Sequence, residues 1–157
     1  MAEKYGPGAG PGPQSLSDEE LSGLLAGQRF GALATLRGNG RPHLSTVAYA
    51  WDQRQRVARI STVAGRLKVR QLQQDPNCSL YVASDDFWSF AVAEGEAELS
   101  PVSGEPGDEV GLELLAMGHS FAGPADEQAF LRQMVTDQRL VIRLRVARLY
   151  GTALSSG

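Results

Sequence analysis

The chain has 157 residues, of which 42% are hydrophobic and 21% are charged, and its formal net charge is −3. This length suits one domain with a sizeable core, and the composition is typical of an ordinary soluble globular protein. The slightly acidic balance argues against binding of duplex DNA, because no broad basic field is available to meet the phosphates. No apolar run approaches the roughly 20 residues of a membrane span and no signal-peptide pattern is visible, so we expect a cytoplasmic protein.

The cysteine and histidine residues give little sign of metal or nucleophile chemistry. The single cysteine, Cys78, lies in NCSLYVA, which has the pattern of a buried strand, so we expect a packed thiol. His43 and His119 are far apart in the sequence and neither has a ligand cluster around it, which argues against a metal site. No catalytic side chain is indicated by any triad or carboxylate pair.

The ends of the chain differ in composition from its centre. Residues 1–14, MAEKYGPGAGPGPQ, are rich in Gly and Pro and have no periodic apolar positions, which predicts a disordered leader. A single domain is predicted over residues 15–152, with a short tail over residues 153–157. The glycine spacing in the leader does not indicate a dinucleotide fingerprint, because no strand precedes it.

The first predicted elements are a helix and a hairpin. Ser17 and Glu20 have the spacing of a capping box, and an apolar face follows them, so a helix is predicted that ends near Gly27. The runs RFGALATLR and RPHLSTVAYAWD, joined by GNG, predict a β-hairpin, and RQRVARISTV predicts a third strand.

A short helix and two more strands follow. Leu67, Val69 and Leu72 have helical spacing, and the sequence DP is expected to end that helix. The runs CSLYVAS and WSFAVAEGEAELSPV predict strands, and Gly95 within the second suggests a bulge or a bend.

Two helices and a strand complete the chain. The helices are predicted near residues 108–117 and 125–135, and the strand is RLVIRLRVARLY. Its alternation puts Leu140, Ile142, Leu144 and Val146 on one face. Its other face, with Val141, Arg143 and Arg145, is predicted to be wet or to face a ligand. Six strands with antiparallel joins and no βαβ rhythm indicate a mainly β (α+β) fold, an antiparallel β-barrel with peripheral helices.

The stretch STVAGRLKVRQLQQDP holds the one internal lysine of a chain with two lysines and thirteen arginines. A strand that ends at Ser61 and Thr62 is followed there by a turn and by a helix that begins near Arg66. Unpaired N–H groups at a helix start, the helix dipole and the charges of Arg66 and Lys68 would together suit a phosphate. Arg70 is expected to point to solvent.

Four segments carry a family resemblance, and they stand in the family's order: GALATLRGNGRPHLSTVAYAWD, ISTVAGRLKVRQLQQDP, DDFWSFAVAEGEAEL and MVTDQRLVIRLRVARLYG. Together they resemble the pyridoxamine 5′-phosphate oxidase-like split-barrel flavoproteins, and most of all their actinobacterial branch that uses the deazaflavin coenzyme F420. The resemblance covers residues 16–151 and implies a six-stranded antiparallel split β-barrel.

The resemblance implies a set of cofactor-binding residues. The family's phosphate site matches Ser61, Thr62, Arg66 and Lys68, where Arg66 and Lys68 form the R-x-K motif. The strand along the ring system matches Ser45, Thr46 and Val47. Trp88 matches an aromatic residue that reaches the cofactor from the second subunit of a homodimer. His43 and Thr46 depart from the amides of close relatives, which leaves the hydrogen-bond pattern around the ring, and hence the substrate, open.

The implied function is that of an F420-dependent oxidoreductase that transfers a hydride between the deazaflavin and a small conjugated substrate, with the cofactor at a homodimer interface. Such an enzyme needs no visible catalytic acid or base, because the cofactor carries the chemistry. Two alternatives stay open: an FMN-dependent pyridoxamine phosphate oxidase-like enzyme, and a binding protein for F420 or flavin without turnover. Neither a metal, a nucleic acid nor a membrane is expected as a partner.

Overall fold

The computed structural model describes residues 6–10, 12–118 and 121–154. In chain order the elements are β1 (Pro13–Ser15), α1 (Asp18–Gly27), β2 (Phe30–Leu36), β3 (Pro42–Asp52), β4 (Val57–Val63), α2 (Leu67–Gln74), β5 (Asn77–Ala83), β6 (Phe90–Leu99), α3 (Glu109–Leu115), α4 (Pro124–Thr136), β7 (Arg139–Tyr150) and β8 (Thr152–Leu154). Among the described residues, no helix is long and apolar enough to cross a membrane.

Six of these strands form a closed antiparallel barrel in the order β2-β3-β4-β7-β6-β5. The predicted fold class, a mainly β barrel of six antiparallel strands with peripheral helices, is therefore confirmed. The predicted irregularity in β6 is also present, because the β6–β7 register shifts between Glu94 and Gly95. Only glycine fits at this bend, since a Cβ on Gly95 would collide with the backbone carbonyl of Arg145.

Helix α1 closes one end of the barrel. Ser17 and Glu20 form the predicted capping box, with Ser17 Oγ accepting from the Glu20 N–H at 3.1 Å and Glu20 Oε1 accepting from the Ser17 N–H at 3.0 Å. Leu21 and Leu25 are buried in the barrel core. Tyr49 is a core residue, and its hydroxyl donates to the Leu25 carbonyl at 2.6 Å. Helix α1 is thus held by its cap, its apolar face and the barrel wall.

The two shortest strands lie outside the barrel. Strand β1 pairs with β8, with Gln14 opposite Ala153, so residues from the predicted leader and tail both belong to regular structure. The regular structure therefore begins two residues before the predicted domain and continues two residues beyond it. Residues 1–5, 11 and 155–157 lie outside the described part of the chain.

The outer face of β7 differs from the prediction of a wet or ligand-facing surface. Val141 is fully buried beneath α3 and α4, and it packs there against Leu114 and Met134. Arg143 donates to Glu113 through Nη2 at 2.6 Å and through Nε at 2.8 Å, and Arg59 donates to the same carboxylate at 3.0 Å. The prediction therefore holds for Arg145, whose side chain is 58% exposed, and is wrong for Val141 and Arg143, because the alternation of one strand cannot reveal that two helices cover part of its second face.

Candidate functional site

The barrel wall opens between β3 and β4. The pairing of these strands extends from Tyr49 opposite Ile60 to Asp52 opposite Val57. Towards the other end, residues 42–48 of β3 pair with β2, and residues 61–63 of β4 pair with β7. The two strands therefore diverge and leave a cleft, which we call the β3–β4 cleft, bounded by residues 42–48 and 61–63.

One wall of the β3–β4 cleft contains Ser45, Thr46 and Val47, but the three residues face different ways. Val47 is buried in the barrel core, Ser45 is half-buried on the same inner side, and the Thr46 side chain is exposed on the outer side. The Tyr49 N–H donates to the Arg29 carbonyl, which is adjacent to β2. Because backbone direction alternates along an antiparallel strand, the polar backbone groups of Ser45 and Val47 also point to β2, whereas those of Thr46 point into the cleft. Thr46 thus offers both a hydroxyl and backbone groups.

The other wall contains Ser61 and Thr62, which also face opposite ways. Thr62 is buried on the inner side of β4, and Ser61 is half-buried on the outer side. Ser61 Oγ accepts from Arg139 Nη1 at 3.5 Å, which is the limit of a weak hydrogen bond. Ser61 and Thr46 therefore share the outer side of the cleft, whereas Thr62 does not present its side chain there.

Helix α2 begins directly after β4 and brings Arg66 and Lys68 to the same end of the barrel. Arg66 is the N-cap, with φ −70° and ψ 145°, and no side chain caps the helix. Its first turn contains no acidic residue, in contrast to α1, whose first turn contains three. The N–H groups of a first helical turn lack partners within the helix, so this end presents donors and positive charge together.

The environment of Lys68 disfavours its positive charge. Its side chain is half-buried, and this burial lowers the pKa of Lys68, with a smaller contribution from the positive charge of Arg66. Neither residue takes part in any ion pair formed among the described residues. A bound anion would offset both the cost of burying the Lys68 charge and its repulsion from Arg66. Arg70, two residues after Lys68 on α2, is exposed as expected.

A buried polar cluster fixes the position of α2. Thr35 on β2 is fully buried and its hydroxyl donates to Gln71 Oε1 at 2.6 Å. His43 Nδ1 lies 3.0 Å from the same oxygen, which can only accept, so Nδ1 carries the proton. His43 is thus a structural residue that ties β3 to α2. No sequence pattern indicated this role for Gln71, because its partners are distant along the chain.

Trp88 lies at the opposite end of the barrel from Lys68. It sits in the turn between β5 and β6 with 58% of its surface exposed, and Phe87 beside it is 79% exposed. This turn is held to the start of β2 through Gln28 Nε2, which donates to Asp85 Oδ1 at 3.0 Å. Helix α2, in contrast, contacts the end of β2. One chain therefore does not bring Trp88 to the phosphate-binding candidates.

Two arginines near the β3–β4 cleft were not predicted from the sequence. Arg29 and Arg139 line a cavity of about 330 Å³ that also touches Ala48 and Ser61. Arg139 is the first residue of β7 and stands opposite Val63. The alternation of residues within β7 did not single out Arg139. It also gave no sign that Arg139 approaches Ser61, which lies 78 residues away in the chain.

The described residues contain no group of three or more His, Cys, Asp or Glu side chains that could hold a metal ion. His119 lies outside the described part of the chain. Cys78 is buried, and burial raises the pKa of its thiol to about 12, which fits a packed thiol and not a nucleophile.

Comparisons with known proteins agree with this fold. Solved structures with the same fold include a conserved hypothetical protein, Rv2991, from Mycobacterium tuberculosis, with 23% identity, a TM-score of 0.69 and coverage of 88% of this chain and 85% of that one. A protein described as an F420 reductase has 24% identity and a TM-score of 0.59, over 82% of this chain and 94% of that one. A protein described as FAD-binding, from Mesorhizobium loti, has 19% identity and a TM-score of 0.65, over 94% of this chain and all of that one. The family model described as pyridoxamine 5′-phosphate oxidase matches residues 17–153, and the chain therefore belongs to this family.

Proposed function

We propose that the protein is an F420-dependent oxidoreductase that transfers a hydride between the deazaflavin and a small conjugated substrate. In this proposal Arg66 and Lys68 bind the cofactor phosphate, and the ring system lies along the β3–β4 cleft against Thr46. The F420 reductase among the structural neighbours and the family membership support a redox cofactor of the flavin type.

The observation that carries the proposal is that the half-buried Lys68 forms no ion pair among the described residues. A half-buried ammonium group at the positive end of a helix, beside a second cation, has an unfavourable electrostatic energy in the free protein. Charged groups in such settings are normally paired. A phosphate would accept hydrogen bonds from Lys68 and from the open N–H groups of the first turn of α2, and its negative charge would offset both cations.

The residues of the cleft suit a flat ring. The outer side of β3 offers the hydroxyl and backbone groups of Thr46 beside the small side chain of Ala48, so a ring can approach the strand closely. When bound, the cofactor supplies the hydride-transfer chemistry. The chain's own residues bind its phosphate, orient the ring by hydrogen bonds from β3, and exclude water from one of its faces. No protein side chain needs to donate or remove a proton for this role.

We also propose that the protein acts as a homodimer. Phe30, Leu44 and Tyr81 project from the outer faces of three neighbouring strands and are 64%, 66% and 42% exposed. Phe30, Tyr81 and Phe87 line one shallow cavity on this side, and Trp88 follows Phe87 with 58% of its surface exposed. Exposed apolar side chains grouped in this way on soluble proteins mark association sites. A twofold partner is the occupant that fits, because it would carry its own Trp88 towards the cleft that this chain's Trp88 does not reach. Light scattering at micromolar concentration should give the mass of a dimer.

The test of the cofactor is a direct titration. Protein purified without cofactor is titrated with F420 and with FMN, and binding is followed by fluorescence. We expect saturable binding of F420 at a concentration at least about tenfold lower than that of FMN. Equal or tighter binding of FMN would overturn the F420 assignment and favour the FMN-dependent alternative, for which the freshly purified protein should also be yellow.

Turnover distinguishes an enzyme from a binding protein. The reduced cofactor is mixed with the protein and a panel of quinones, tetrapyrroles and nitroaromatic compounds. Oxidation of the cofactor by any of these faster than in the protein-free control supports the oxidoreductase. Tight binding of F420 with no acceleration across the panel would favour a non-catalytic binding protein.

A further inference from the structure

The cavity of about 330 Å³ beside the β3–β4 cleft has an apolar side and a polar side. Phe30, Met117, Phe130 and Met134 supply the apolar side, and Phe130 packs against Phe121 with 5.3 Å between ring centroids. The polar side consists of Arg29, Ser61 and Arg139. Small-molecule sites typically combine an apolar lining with a few convergent polar groups, and this cavity has that composition.

Arg139 has more hydrogen-bonding capacity than the described residues use. A guanidinium carries five N–H donors in a planar fork. The side chain of Arg139 is 32% exposed, and its one hydrogen bond among the described residues is the 3.5 Å contact of Nη1 with Ser61 Oγ. Its Nε is buried and has no hydrogen-bond partner among those residues. The guanidinium is therefore held in place by the fold but left under-satisfied at the wall of a cavity.

The charged side chains around this cavity determine which ligand charge it favours. Asp137 Oδ2 lies 3.9 Å from Arg139 Nε and offsets part of its charge, whereas Arg29 forms no ion pair among the described residues. Among the described residues at this cavity, two arginines and one aspartate sum to a net charge of about +1, which a monoanion neutralises and a phosphate dianion exceeds. The planar fork of arginine also matches the two oxygens of a carboxylate.

We propose that this cavity binds a planar aromatic carboxylate, with the carboxylate on Arg139 and the ring between Phe30 and Met134. This proposal deepens the proposed function, because it names the class of substrate. Binding of the carboxylate does not depend on that function, and only the description of the ligand as a substrate rests on it. The cavity shares Ala48 and Ser61 with the β3–β4 cleft, so a ligand bound there lies beside the position proposed for the cofactor ring.

The test is calorimetric binding of 2-naphthoate and of its neutral isostere 2-naphthamide to the full chain without cofactor. We expect 2-naphthoate to bind at least about tenfold more tightly, because the amide cannot form the charge-assisted pair. Arg139→Gln should remove this preference, and Arg139→Lys should keep part of it. Arg132→Gln on the exposed side of α4, outside the cavity, is the matched control and should leave it unchanged. Because no cofactor is added, failure of the F420 proposal leaves this result intact.

Filling the cavity gives a second test that does not depend on charge. Ala48→Phe should abolish binding of both probes even if Arg139→Gln folds poorly. Equal affinity for the two probes, tighter binding of 1-naphthyl phosphate than of 2-naphthoate, or equal losses in Arg139→Gln and Arg132→Gln would overturn the carboxylate site. With F420 present at saturation, 2-naphthoate should still bind. Displacement by F420 would show that the cavity belongs to the cofactor site, and would overturn the substrate assignment.

Discussion

Lys68→Met isolates the charge that the proposed phosphate site depends on. Methionine keeps most of the length of the lysine side chain, with a sulfur in place of one methylene, and lacks the ammonium group, so most of the packing of the half-buried stem is retained. A hydrogen bond to a charged group is worth about 1.5–3 kcal/mol, which corresponds to about a tenfold to a hundredfold loss of affinity for F420. Because the Lys68 side chain is only half-buried, solvent screening puts the expected loss at the lower end, about tenfold.

The same substitution should affect the free protein in the opposite direction. The folded chain lowers the pKa of Lys68, so the protonated form is less favourable in the folded chain than in the unfolded one. Wherever the lysine is protonated in both states, its charge therefore opposes folding. Thermal melting of the cofactor-free variant should give a melting temperature equal to or above that of the wild type, although its affinity for F420 is weaker.

The matched control for this experiment is Arg70→Met, on the same helix and exposed. It should change affinity by less than about 0.5 kcal/mol, as surface substitutions usually do. Affinities of the two variants are measured by the same fluorescence titration at fixed salt. If Lys68→Met and Arg70→Met bind F420 equally well, the phosphate is bound elsewhere than at the start of α2.

Three further predictions test the surrounding structure. Glu113→Gln should lower the free energy of unfolding by about 1–3 kcal/mol at pH 7, because Arg59 and Arg143 lose the carboxylate they share. Arg143 beside Glu113 lowers the pKa of that carboxyl, so the contribution of Glu113 to the free energy of unfolding is complete above the ordinary pKa of 4.5 and is lost as the pH falls through the pKa of the folded state. Denaturant titrations of wild type, Glu113→Gln and the exposed Glu105→Gln should therefore converge in acid. A difference that stays constant with pH would contradict the assignment. Trp88→Ala should weaken F420 binding about threefold to tenfold, from the roughly 0.5–1.5 kcal/mol of an aromatic contact, with little change in melting temperature; an unchanged affinity in a confirmed dimer would remove Trp88 from the site. Cys78 should resist iodoacetamide at about pH 8 until the protein is unfolded, because burial raises its pKa to about 12, and fast labelling of the folded protein would argue against a packed thiol.

Local sequence determined those elements whose stabilising contacts lie within a few residues. The capping box of Ser17 and Glu20 spans a single helical turn, and the GNG turn closes through Gly40, whose φ of 82° glycine adopts without strain. The alternation of Leu140, Ile142 and Leu144 likewise predicted the inner face of β7, because a strand facing a core has a period of two. Family resemblance added the R-x-K motif of Arg66 and Lys68, which stays a prediction until a ligand is measured.

Tertiary structure decided the features that depend on where strands diverge and what covers them. The β3–β4 cleft exists because pairing stops at Tyr49 and Ile60, and it turns Thr46 and Ser61 to its outer side while Thr62 faces inwards. The covered face of β7 depends on Glu113, which lies 30 residues from Arg143 in the chain. Arg139 meets Ser61 across 78 residues. Periodicity reports which residues share a face of one element, but burial and charge pairing on that face depend on the neighbouring element, and the sequence of one strand does not contain that information.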